Sequence, residues 1–193
     1  MIDRPSRSRS PRAGVAAAVA AGLLGLALLL AWQLAHSRSA AGRLDAVQPV
    51  PGWPVTWRPP RGWQDLPADQ LPEPAVAGRT APDGRRVLLL CARLGGFVHP
   101  SYASQWVLSK LFEHRPLTPH AAEEASLAGL TALRSLWTVG SAGGARVPVL
   151  LQVAVSPTGQ AYGLLLETPG PMRPADELLL GAIAQSIELT EPD

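Results

Sequence analysis

Val147-Pro148-Val149-Leu150-Leu151-Gln152-Val153-Ala154-Val155, then Ser156-Pro157-Thr158-Gly159, then Gln160-Ala161-Tyr162-Gly163-Leu164-Leu165-Leu166: this stretch decides the fold. Val147, Val149, Leu151, Val153 and Val155 fall on every second position, the period of side chains on one face of a strand. Ser156 to Gly159 carries turn residues. Tyr162, Leu164 and Leu166 alternate along the returning strand. The pattern is a β-hairpin with one buried face, and it implies an antiparallel sheet.

Moving outward from the hairpin, Glu123 to Leu127 and Leu130 to Val139 read as two further strands that turn at Ala128-Gly129, and Gly140 to Gly144 reads as a loop. On the other side, Thr168 to Arg173 is a loop ahead of a last helix. Pro174 suits its first turn, and Asp176 and Glu177 suit its positive end. Leu179, Ile183 and Ile187 recur every four residues as the buried stripe, widened by Leu178, Leu180 and Ala182. Earlier in the chain, a helix is expected from Ser101, as N-cap, to about Phe112, with Pro116 and Pro119 preventing its continuation. The run from Arg85 to Leu94 is apolar on both faces, as in a central covered strand. Ala81-Pro82-Asp83-Gly84 turns it back to a weaker strand at Ala75 to Thr80. Asp65 to Pro74 is a Pro-rich loop with one helical turn at Ala68 to Leu71, and Val55 to Arg58 is a short opening strand. The expected fold class is α+β, an antiparallel sheet packed with helices.

Ala13 to Ala35 contains no charged residue and is long enough, as a helix rising about 1.5 Å per residue, to cross a hydrocarbon core of about 30 Å. Arg4, Arg7, Arg9 and Arg12 precede it, against Arg38 and Arg43 after it, which sets the N-terminus in the cytoplasm and the following domain outside. A cleaved secretory signal has a shorter apolar run and ends at a small-x-small site, a pattern that His36 and Arg38 interrupt. The run therefore reads as an uncleaved single-pass anchor in the cell membrane. The expected organisation is a basic cytoplasmic tail at 1–12, a transmembrane helix at 13–35, a linker at 36–52 and an extracytoplasmic domain at 53–193.

The formal charge of +2 divides unevenly: residues 1–44 carry +5 and residues 45–193 carry −3. The domain has no basic excess of the kind that binds nucleic acid, so no nucleic-acid partner is expected. The lone cysteine, Cys91, forms no intramolecular disulfide and lies in a strand-like run, where it reads as a small buried hydrophobe.

Chemistry is not assembled anywhere along the chain. His99, His114 and His120 with Glu123 and Glu124 follow no metal-ligand spacing. Ser101 has no nucleophile elbow around it, and Gly140 to Gly144 lacks the Lys-Ser/Thr ending of a phosphate-binding loop. No cofactor, metal or enzymatic activity is expected. The three Trp residues at 53, 57 and 63 read as rings that seal one end of the core.

Three segments in order resemble the PsbP-like, DcrB-like (Mog-type) α+β sandwich family over about residues 53–190. They are Val55-Thr56-Trp57-Arg58-Pro59 with Gly62-Trp63, then Gln160-Ala161-Tyr162-Gly163-Leu164, then Ile183-Ala184-Gln185-Ser186-Ile187. The Pro-rich 66–82 region, the loop at 140–146 and the missing lipoprotein cysteine depart from it. Members of this fold are mostly adaptors or assembly factors, so the resemblance implies a binding role and an envelope protein as partner. The surface expected to carry it comprises Trp53, Trp63, Gly140, Gly143 and Gly144. A small-ligand or lipid module, with a cavity between the sheet and the helix at 101–112, is the alternative.

Overall fold

The computed structural model describes residues 43–140 and 144–190. The expected tail, the transmembrane run at 13–35 and Gly143 lie outside the described residues. Among those described, no helix is long and apolar enough to cross a membrane.

Among the described residues, ten strands and two helices follow one another: β1 (Gln48–Pro49), β2 (Val55–Trp57), β3 (Gln64–Asp65), β4 (Ala75–Thr80), β5 (Arg86–Arg93), α1 (Pro100–Leu111), β6 (Leu117–Leu127), β7 (Leu130–Gly140), β8 (Arg146–Val155), β9 (Gln160–Glu167), α2 (Pro174–Gln185) and β10 (Glu188–Leu189). A 3-10 turn at Ala68–Gln70 precedes β4. Seven strands form an antiparallel sheet in the order β3-β4-β5-β9-β8-β7-β6, and β1-β2-β10 form a second, small sheet.

The expected β8–β9 hairpin is present, with Val155 opposite Ala161 and Leu151 opposite Leu165. Its burial differs from the expectation of one buried face. Leu151, Val153 and Val155 face α1 with Leu88, Leu90 and Leu165, around Ala103, Val107 and Leu108 of the helix. Leu150, Ala154, Tyr162, Leu164 and Leu166 face α2 and the small sheet, against Leu180, Ile183, Val55 and Trp57. Both faces of the central strands are covered, so their alternation separates two apolar cores instead of core from solvent. Turn geometry supports the register. Gly159 holds φ +81°, and a Cβ there would lie 2.6 Å from the Gly96 backbone.

Four further expectations need correction. First, α1 is capped by His99, whose Nδ1 accepts the Ser101 N–H at 3.2 Å, because Pro100 takes the first helical position and needs no partner for its missing N–H. Second, Leu178 is exposed, outside the α2 stripe, and Ile187 is buried just after the helix ends. Third, β6 begins at Leu117 rather than Glu123, and its first half is exposed on both faces, which leaves no alternation to read. Fourth, the expected linker at 36–52 belongs to the domain from Arg43 on. Leu44 and Val50 are buried in the core, and Leu44 bridges to Pro60. Arg79 fastens this strap to the large sheet: its Nη2 donates to Gln48 Oε1 and its Nη1 to the Trp63 carbonyl, both at 3.1 Å.

Candidate functional site

A polar row crosses the sheet face beneath α2 at its β6–β8 side. Glu123 of β6 stands opposite Arg134 of β7, and Arg134 stands opposite Gln152 of β8. The row continues inward to Leu164 and Leu89, which belong to the core. Gln152 is only 1% exposed, and a buried amide is costly unless both its ends are bonded. Its Nε2 donates to the Ser126 carbonyl at 2.7 Å, and its Oε1 accepts from Arg134 Nε at 3.1 Å. Arg134 Nη1 lies 3.4 Å from Glu123 Oε1. A groove of about 460 Å³ opens over this row, lined by Glu123, Glu124, Ser126, Arg134, Gln152 and Gln185, with Gly181 and Ala184 of α2 forming its far wall. Small residues on the helix keep it open: a Cβ on Gly181 would stand 3.5 Å from Arg134 Nη2.

A second concavity, of about 290 Å³, lies beside the strap and is lined by Arg43, Arg61, Trp63, Arg85 and Leu179. Arg85 lies over the Trp63 ring at 5.3 Å and donates to Asp176 Oδ1 at 2.8 Å and Asp83 Oδ2 at 2.9 Å. The hydrogen bond from Arg85 holds the Asp83 carboxyl below its ordinary value and raises the guanidinium above its own. Arg85 is thus committed to two carboxylates and a ring.

The expected surface residues do not share a site. Trp63 packs with Arg85, which precedes β5, whereas Trp53 lies under Arg93, which ends it. An eight-residue strand puts these ends about 25 Å apart. Gly140 closes β7 against Pro116, with its carbonyl accepting from Arg115 Nε at 2.8 Å, and Gly144 is exposed before β8. The three histidines among the described residues are dispersed: His99 caps α1, His114 follows that helix at φ 62°, and His120 of β6 bonds Thr138 at 2.6 Å. Cys91 is buried, as its run predicts, and burial pushes its thiol up to about 12. The apolar gap lined by Leu90, Cys91, Val107 and Val153 is too narrow to admit a water molecule.

Sequence reasoning missed Arg134 and Gln152. The signal was present as a Gln between Leu151 and Val153 in a strand of otherwise apolar residues, and its meaning depends on the second covered face.

No protein-family model matches the chain, and no curated protein matches its sequence. Among solved structures, the domain is similar to cyanobacterial PsbP (CyanoP) from Synechocystis sp. PCC 6803. The two are 11% identical, with 76% of this chain and 92% of that one covered at a TM-score of 0.58. It is also similar to LpqN, described as involved in cell envelope biogenesis of Mycobacterium tuberculosis, at 18% identity over 76% of this chain and 92% of that one, with a TM-score of 0.49. The fold is PsbP-like.

Proposed function

We propose that this chain is a membrane-anchored, extracytoplasmic binding domain, not an enzyme, and that it engages another envelope protein. The anchor is the apolar run at 13–35, with the Arg-rich tail in the cytoplasm. One observation carries the binding role. Phe97 and Tyr102, at the corner between β5 and α1, are 63% and 60% exposed. Aromatic side chains offered to solvent together are enriched at protein interfaces, where they bury large area at small entropic cost. Trp53, under Arg93, lies toward the same end of β5 but packs on the core of the α2 face, so neither it nor Trp63 belongs to the surface of Phe97 and Tyr102. The alternative, a lipid or small ligand held between α1 and the sheet, is opposed by the filled gap there.

Native mass spectrometry of the full chain, gently extracted from its own membrane, tests the reading. The expected result is a stoichiometric added protein mass that is lost in the Phe97→Ser/Tyr102→Ser variant. A partner retained by that variant moves the surface elsewhere, and a chain without a protein partner overturns the adaptor role.

A further inference from the structure

We propose that the groove between α2 and the β6–β7 hairpin is a carboxylate-binding site centred on Arg134. This does not depend on the adaptor reading. A buried glutamine in an apolar sheet face is hard to account for by packing alone, since Leu or Val would fill the space without polar cost. Gln152 instead serves as a positioning residue: anchored to the Ser126 carbonyl, it holds the guanidinium by its Nε. Nη1 is then left toward β6, and Nη2 toward Gly181 on α2, with no hydrogen bond from Nη2 to a described residue. The outer fork of the arginine therefore lies in the groove, in the orientation that receives a carboxylate through two parallel N–H bonds.

Glu123 shows what the fork accepts. Its carboxylate meets only Nη1, at 3.4 Å, on a side chain that is 65% exposed. A pair of that geometry is weak and readily displaced. A carboxylate entering along the groove forms two shorter bonds and finds Ser126 and Gln185 as neighbours on the wall. Glu123 and Glu124 also give the site its selectivity. With Arg134 they leave the groove with a net charge of −1, which opposes any anion, but a dianion such as hydrogen phosphate about twice as strongly as a carboxylate that pairs with the arginine.

The test is an NMR titration of the full chain in detergent, following the Arg134 Nε–H and Gln152 amide signals. The probes are acetate, N-acetyl-Ala-Ala with a free carboxylate, the same peptide amidated, and inorganic phosphate. The free carboxylates are expected to shift both signals saturably, and the amidated peptide and phosphate are not. Tighter binding of the peptide than of acetate assigns the ligand to a chain end, and equal binding assigns it to a small acid; either result upholds the site. Arg134→Gln abolishes the shifts of the Gln152 amide. Glu123→Gln, which removes an exposed acid and leaves the fold intact, strengthens carboxylate binding by about two- to fivefold, the worth of a displaced surface pair. Equal shifts with the amidated peptide, or unchanged or weaker binding in Glu123→Gln, overturn the proposal.

Discussion

Cys91 shows how far a single side chain can be read before its surroundings are known. Its apolar neighbours Leu90 and Ala92 mark a buried thiol, and burial raises its affinity for its proton to a pKa of about 12. Below the ordinary value of 9.0, folded and unfolded chains both keep that proton. Between 9.0 and about 12 only the folded chain keeps it, so unfolding releases a proton and stability falls as pH rises. Tyr162, raised by burial and then by Cys91, acts in the same direction. The urea midpoint is therefore expected to fall between about pH 8 and about pH 11, and Cys91→Ala is expected to remove part of that fall. An unchanged slope in the variant would place the alkaline sensitivity elsewhere. Arg134 and Gln152 were opaque at this scale for the opposite reason. Nothing adjacent in sequence bonds them, and their partners Ser126 and Glu123 come from another strand.

Among the elements, those with a strong local signal were legible. The β8–β9 hairpin, β4 with its turn into β5, and α2 stand close to their expected bounds, because alternation, turn residues and a Pro-led helix start are local properties. The two-residue strands β1, β3 and β10 were not, since each owes its conformation to a neighbour distant in sequence. The start of α2 depends on Asp176, which is buried. Its Oδ2 accepts the Arg173 N–H at 3.0 Å, capping the helix start from its third residue, while its Oδ1 accepts from Arg85 at 2.8 Å. Asp176→Ala removes cap and ion pair together. Arg85 keeps Asp83, so the cost is expected at about 2–4 kcal/mol, below that of a fully orphaned buried charge. The corresponding fall in Tm is roughly 5–15 °C by calorimetry. Asp176→Asn, which keeps an acceptor for the cap, is expected to lose less; equal losses would mean that the ion pair carries the whole effect.

Among the described residues, the central strands of the PsbP-like sheet are covered on both faces, and its long edge strand β6 is the exposed flank. Pro119, the bulge between Pro119 and Ala121, and the acids at 123 and 124 guard that edge against unwanted strand pairing. The domain's lower boundary is the feature the sequence misplaced: Pro49-Val50-Pro51-Gly52 looks like a stiff linker, yet Leu44 and Val50 complete the core. A chain beginning at Trp53 is thus expected to be less stable than one beginning at Ala40 by about 3–6 kcal/mol, the worth of two buried aliphatic side chains. Denaturant unfolding of the two measures it, and equal midpoints would return the boundary to residue 53.

The strap has a mechanical consequence. β1 is antiparallel to β2, two residues long, and open toward the N-terminal side. Tension on the chain ahead of Arg43 is applied at that open end, so it peels Leu44 from Pro60 and then Gln48 from Trp57, one rung at a time. The strand ladders of the seven-stranded sheet are not part of that seam, which is joined to the large sheet by the Arg79–Gln48 bond. Under such a pull the domain is expected to yield first at this short seam, before the large sheet opens.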